Sequence, residues 1–354
     1  MRYTFDDTRP VYMQIYEYMR GDIIRGTYRY DEKIPSKRTL AQELHVSLIT
    51  VEHAYDFLAE EGYIISRQRK GYYVCYRSED LFPVAEGDPD DEGTAFETDE
   101  DLFPASVFKK AVREVLHKYD EKLLSASEPC GCFELRQAVS LYLARSRGIY
   151  ADPSQVFIGA GAEYLYSMII LLLGRHRIYG IEDPSYERIR QMYRENGVRI
   201  DRLKMTENGI RSDELARTPA SVLHVTPYRS FPSLYSADID KRNEYLEWAY
   251  SRNAYIIEDD YESEFATAEK PADTLFAMSH GNVIYMNTFT KTISPALRTG
   301  YMILPEKECE RFRSILSERS CTVPVLVQLT LAYLINDGSF ERHINRVRRK
   351  RREK

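Results

Sequence analysis

A chain of 354 residues, 43% hydrophobic and 29% charged, is long enough for two or three domains with sizeable cores, which sets aside disordered and fibrous classes. Its longest apolar run, Met168 to Leu173, is far too short for a membrane span, and no basic segment leads into an apolar core at the N-terminus, so the cytoplasm is the expected location. The formal charge of -6 argues against a uniformly basic nucleic-acid binder, but the charge is unevenly spread. Five cysteines are odd in number and Cys130-Gly131-Cys132 lacks zinc-ligand spacing, so reduced thiols and no metal site are expected.

In chain order, Val11, Ile15, Met19 and Ile23 fall four apart and predict one apolar helix stripe. Ser36 caps a second helix with Leu40 and Leu44 inside, and Val46-Ser47 opens a third. In that third helix Val51, Ala54, Tyr55 and Leu58 stand at i, i+3, i+4 and i+7. Gly62 stops it. Two β-rich runs, Tyr63 to Ser66 and Tyr72 to Tyr76, then predict a hairpin whose tip is basic. Two short helices joined by a tight turn are helix-turn-helix geometry, with the start of the last helix facing a major groove and the tip suited to phosphates.

The segments "IPSKRTLAQELHVSLITVEHAYDFLAEEGYI" and "RKGYYV" resemble the GntR-type winged helix-turn-helix over residues 9 to 76. The resemblance implies that Ser36, Lys37, Arg38, Ser47 and Thr50 touch double-stranded DNA and that Arg67, Arg69, Lys70 and Gly71 belong to the wing. Ser36 and Ser47 fit physically, because helix N-termini accept phosphate oxygens. Leu48 stands where that family often has arginine, which leaves the base preference open.

From Ser78 to Ser106 there are eleven acidic residues, three prolines, two glycines and no basic residue. Such a stretch predicts a solvated linker, 78–101, between a head at 1–77 and a body at 102–354. The C-terminal run Arg346 to Lys354 reads as a solvated basic helix face, with a DNA-binding arm as the alternative.

In the body, β-branched runs alternate with helical patterns: Val156 to Ile158, Ile178 to Ile181, Ser221 to Val225, Ala254 to Ile257, Val283 to Met286 and Gly300 to Leu304. This alternation predicts an α/β layered domain with a largely parallel sheet, whose ligands bind at the carboxyl ends of strands. Four marked stretches sit there. Gly161, Ala162 and Glu163 follow a strand and open a helix, where backbone amides can approach an anion. Tyr186 follows Pro184-Ser185 after another strand. Glu258, Asp259 and Asp260 end a buried strand and precede Tyr261. Lys291 lies among hydroxyls in "NTFTKTISPALR", with Thr288, Thr290 and Arg298 able to hold a phosphate. Taken singly, the glycines read more readily as punctuation, Tyr186 as core and Lys291 as a surface residue.

"EDPSY", "IIEDDYESEF" and "NTFTKTISPALRTGYMILP", in that order and spacing, resemble fold-type I aminotransferases, and "PCGCFELRQAVSLYLARSRGI" resembles their entry helix. The resemblance implies a pyridoxal 5'-phosphate site: Lys291 as the Schiff-base lysine, Asp259 at the pyridine nitrogen, Tyr261 at the ring hydroxyl and Tyr186 over the ring. Gly161, Ala162, Glu163, Thr288, Thr290 and Arg298 would surround the phosphate. A GntR-type head joined to such a body resembles the MocR/GabR regulators. That family implies a transcription factor acting as a head-to-tail homodimer and sensing pyridoxal phosphate, often with an amino compound. An aminotransferase with an appended DNA-binding head is the alternative. Two departures bear on the chemistry. The loop "TPYRSFPSL" stands where the enzymes carry an Asn-Pro-Thr-Gly-like turn, and family members continue beyond "RHINRVRRKRREK" to supply a carboxylate-gripping arginine. A fragment or shortened reading frame is therefore expected, with apolar surface exposed around Val323 to Leu334.

Overall fold

The computed structural model describes residues 3–6, 9–67, 70–76, 103–260, 263–265 and 273–353. The acidic segment 78–101, Arg69 and Tyr261 lie outside them. The chain divides into two compact units, Met1–Phe96 and Glu97–Lys354.

In the first unit, helices α1 (Val11–Ile24), α2 (Lys37–Leu44) and α3 (Leu48–Glu60) precede an antiparallel hairpin, β1 (Ile64–Arg67) and β2 (Gly71–Val74). Ile15, Met19 and Ile23 of α1 meet Leu40 of α2 and Val51, Ala54, Tyr55 and Leu58 of α3 in one buried cluster. The two short helices start where serines stop the preceding chain. Ser36 Oγ accepts from Thr39 N and Ser47 Oγ from Thr50 N, each at 3.1 Å. His45, at φ 54°, makes the left-handed turn between them. Each cap satisfies an amide with no partner inside its helix, so Ser36→Ala and Ser47→Ala should each cost about 1 kcal/mol, seen as a lower urea midpoint for this unit.

The second unit contains α4 (Ala105–Tyr119), α5 (Phe133–Arg147), β3 (Val156–Gly159), α6 (Gly161–Leu173), β4 (Ile178–Asp183) and α7 (Glu187–Glu195). It continues through β5 (Arg199–Thr206), β6 (Gly209–Ile210), α8 (Ser212–Arg217), β7 (Val222–Val225), α9 (Ile239–Ser251) and β8 (Tyr255–Asp259). The remaining elements are α10 (Leu275–Met278), β9 (Val283–Thr288), β10 (Gly300–Ile303), α11 (Glu306–Leu316), α12 (Val325–Asn336) and α13 (Ser339–Glu353).

The eight strands run in the order β3-β10-β9-β8-β7-β4-β5-β6. From β9 to β5 every pairing is parallel, while β10 is antiparallel to both of its neighbours and β6 is antiparallel to β5. The central strands β7 and β9 are buried along nearly their whole length, as expected for a parallel sheet covered on both faces. The sequence reading lacks β5 and β6. In β5 only Leu203 is buried, so there is no apolar run to read, and β6 has two residues.

The expectation of exposed apolar surface around Val323 to Leu334 is corrected. Val323, Leu329, Leu331 and Leu334 are buried, because α12 packs between α4, α5 and α13. Helix α13 buries Ile344 and Val347 and leaves Arg342, Arg346, Arg349 and Arg352 exposed, so the basic run is the outer side of an amphipathic helix. No helix among the described residues is long and apolar enough to cross a membrane.

Candidate functional site

A cleft of about 360 Å³ opens at the carboxyl ends of β8 and β9, beside the start of α6. Ala162, Tyr186, Asp259, Thr288 and Lys291 all line it. Strand register explains part of the convergence: Asp259 ends β8 opposite Met286 of the parallel strand β9, which delivers Thr288 two residues later and Lys291 in the following turn. Tyr186 caps α7 and meets Phe231 edge-on, with ring centroids 5.7 Å apart. Thr290 is half-buried in the turn and does not line the cleft.

Gly161 begins α6 at φ 80°, a conformation that favours glycine and presents the amides of the first helical turn. An ideal Cβ there would stand 3.7 Å from the Arg298 guanidinium. Arg298 itself is left-handed, at φ 44°, a conformation that costs a residue with a Cβ about 1 kcal/mol or more. Its Nη2 lies 3.4 Å from Glu163 Oε2, and Arg188 Nη1 lies 3.0 Å from Glu163 Oε1. The Glu163 carboxylate thus places two arginines; toward an anion the residue itself can offer only its backbone amide.

Three consecutive acids take three different roles. Glu258 is fully buried and accepts from Tyr228 Oη at 2.5 Å and from the amides of Leu275 and Phe276, each at 2.8 Å. Asp260 pairs with the buried Arg147 at 2.8 Å and accepts from Tyr285 Oη at 2.5 Å. Burial works against the Arg147 charge, and Asp260 together with Tyr285, Tyr228 and Glu264 more than restores it. Like Asp260, Asp259 lines the cleft. Its Oδ2 accepts from Tyr166 Oη at 2.5 Å, and His224 Nε2 stands 3.5 Å from the same oxygen. Tyr193 Oη is 2.8 Å from His224 Nδ1. A Tyr193 hydroxyl that donates to Nδ1 would place the ring proton on Nε2, toward Asp259. Both neighbours therefore act on Oδ2, which leaves Oδ1 for a partner in the cleft.

Burial, with Asp260 adding its charge, pushes Glu258 up to about 7 from an ordinary value near 4.5. The folded state then holds a proton that the unfolded chain releases at lower pH. The resulting stabilisation is complete below the unfolded value and is lost as pH rises toward the folded one. The advantage of the wild type over Glu258→Gln, read as a difference in urea midpoint, should accordingly be larger near pH 5 than near pH 8.

In the first unit, Ser36, Arg38, Ser47, Arg67 and Lys70 are exposed. Lys37 is less available, since its ammonium bonds Glu52 at 2.9 Å and Asp56 at 3.5 Å. Thr50 Oγ1 lies 2.7 Å from Ser47 Oγ. Arg67 pairs with Asp31 and lies over the Tyr73 ring at 4.3 Å. Gly71 closes the hairpin at φ 103°.

Residues 11–74 match the gntR family of bacterial regulatory proteins. Over 98% of this chain and 77% of its own length, the uncharacterized HTH-type transcriptional regulator YdeL of Bacillus subtilis is 35% identical. The chain belongs to the MocR-type branch of the GntR family of transcriptional regulators. The probable rhizopine catabolism regulatory protein MocR of Rhizobium meliloti is 27% identical over 96% of this chain and 74% of its own. The pyridoxine biosynthesis regulator PdxR of Corynebacterium glutamicum is likewise 27% identical, over 95% and 75%.

Among solved structures, an archaeal alanine:glyoxylate aminotransferase superposes with a TM-score of 0.64 at 21% identity, covering 69% of this chain and 63% of that one. LysN, the α-aminoadipate aminotransferase of Thermus thermophilus, gives a TM-score of 0.64 at 24% identity over 71% and 65%. The body of this MocR-type regulator therefore has the fold-type I aminotransferase fold, and it spans somewhat under two thirds of those enzymes' length.

The sequence reading missed Tyr166, Thr226, Phe231 and Asn287 in the cleft wall and the His224–Tyr193 pair behind it. A histidine inside the otherwise apolar strand "VLHV" was the available signal. Tyr166 gave none, because it falls on the apolar side of α6 like its neighbours.

Proposed function

We propose that this MocR-type regulator binds pyridoxal 5'-phosphate in the cleft at Lys291 and that occupancy of the cleft changes its binding to promoter DNA. The observation that carries the reading is the convergence of Lys291, Asp259, Tyr186, Thr288 and Ala162 on one cleft, in a chain whose other unit is a GntR-type head. The residues present fit the cofactor. Asp259 keeps Oδ1 for a protonated ring nitrogen, while Tyr186 and Phe231 offer aromatic faces. The amides opening α6, Thr288 and Arg298 offer donors to a phosphate. When bound, pyridoxal phosphate supplies an aldehyde that condenses reversibly with amines. Lys291 supplies the resident amine, and an amino compound competing for the same carbon would release Lys291 and change which contacts hold the cleft. Such a signal moves the protein only if the two states bind DNA differently.

The cytoplasm and a homodimer accord with this role, and Tyr261 and the wing residue Arg69 are retained as proposed contacts. Among the relatives, one is named a regulator of pyridoxine biosynthesis, which fits a sensor of a related compound. Amino-group transfer as the main activity is the weaker reading. Relatives matching nearly the whole chain are named regulators, whereas the aminotransferases match the fold below 25% identity. A nuclease footprint of the full chain on DNA upstream of its own gene, at about 100 mM salt, tests the regulatory reading, because phosphate contacts make affinity steeply salt-dependent. Protection of a discrete site is expected; uniform cleavage at every protein concentration would reject it.

A further inference from the structure

The start of α3 carries two large apolar side chains that the core does not use. Leu48 is 42% exposed and Ile49 is 64% exposed, immediately after the cap Ser47, while the buried face of the same helix is already filled by Val51, Ala54, Tyr55 and Leu58. Of the outward residues that follow on α3, Glu52, His53, Asp56 and Phe57 are engaged within the unit. Glu52 and Asp56 bond the Lys37 ammonium at 2.9 and 3.5 Å, and His53 sits edge-on to Tyr12 at 5.7 Å. Ser47 and Thr50 hydroxyls bond one another at 2.7 Å. What the first turn of this helix presents to a partner is therefore mainly hydrocarbon.

A major-groove edge offers a helix hydrogen-bond donors, acceptors and one apolar group, the thymine C5 methyl. Leu48 and Ile49 have no donor or acceptor, so they cannot distinguish guanine, cytosine or adenine by hydrogen bonds. We infer that Leu48 and Ile49 are specificity-determining residues that read thymine methyl groups in the major groove. The inference rests on the GntR-type head acting as the DNA-binding unit. The exposed cations Arg38, Arg67 and Lys70 of the same unit favour a polyanionic duplex over an apolar protein surface as the occupant.

The test is selection of bound sites from a random duplex library by the full chain at about 100 mM salt, followed by titration of the best site with single thymines replaced by deoxyuridine. Deoxyuridine keeps the base pairing and deletes only the methyl. Selected sites should carry A·T pairs at the positions under α3. Loss of each contacted methyl should weaken wild-type binding roughly fourfold, the equivalent of one buried carbon, and leave a Leu48→Ala/Ile49→Ala variant unaffected. Leu48→Arg should shift the selection toward guanine. A discrete site whose thymines all tolerate deoxyuridine, or one with G·C pairs under α3, would overturn the inference while leaving the regulator intact. Failure to enrich any duplex would remove the DNA-binding reading itself, and this inference with it.

Discussion

Lys291→Ala should abolish the absorbance change expected from covalent capture of pyridoxal phosphate and should lower the affinity for that compound about 100-fold, equivalent to ~2.7 kcal/mol. The size follows from what is removed. Asp259, Tyr186 and Thr288 remain in the cleft wall and Arg298 stays beside Gly161, so binding should persist on the proposed reading, but no amine is left in the cleft wall at that position. Lys291 itself is exposed, in a turn between the buried Phe289 and Ile293. An unchanged spectrum in Lys291→Ala would remove the lysine from the site. Arg298→Gln should provide a contrast: with Arg298 proposed at the phosphate end, it should weaken binding without altering the absorbance of what is bound.

Tyr166→Phe has the second largest effect, and it acts at one remove. Tyr166 donates to Asp259 Oδ2, and hydrogen bonds to charged groups contribute about 1.5–3 kcal/mol, so the variant should bind pyridoxal phosphate roughly tenfold more weakly or worse. The hydroxyl is fully enclosed, and burial followed by the nearby Asp259 charge keeps it protonated and donating. Without it, Asp259 retains only the longer contact to His224, and the carboxylate is free to rotate away from the ring nitrogen. Because Tyr166 does not itself hold the ring, the spectrum of bound cofactor is the discriminating readout. A shift in its pH dependence is expected from misplacing Asp259, whereas a purely structural role would change stability and leave the bound spectrum alone.

Much of this was legible beforehand, for identifiable reasons. Strands β7, β8 and β9 are buried on both faces and appear in the sequence as apolar runs, which placed Asp259 and Lys291 at the same sheet edge. The serine caps of α2 and α3 are local chemistry and were readable as such. Strand β5 was not, because its position near the sheet edge leaves it largely polar. Nor was the support behind the cleft. Tyr166, Tyr193 and His224 lie on three different elements and look like ordinary core residues until the fold brings them behind Asp259. Arg147 stands at the end of α5 as a common C-terminal cation, and only the tertiary structure turns it inward against Asp260. The exposed stripe expected on α12 was wrong for the converse reason: its main partners α4 and α5 are distant in sequence.

The central claim is that one chain couples a cofactor cleft to DNA. The direct measurement is the affinity of the full chain for its footprinted site, at fixed salt, with and without saturating pyridoxal phosphate, on the wild type and on Lys291→Ala. The account predicts a change of about 5-fold or more in the wild type, the lower end of ordinary coupling energies, and a much smaller change in the variant. Equal DNA affinity for the free and cofactor-saturated wild type would contradict it.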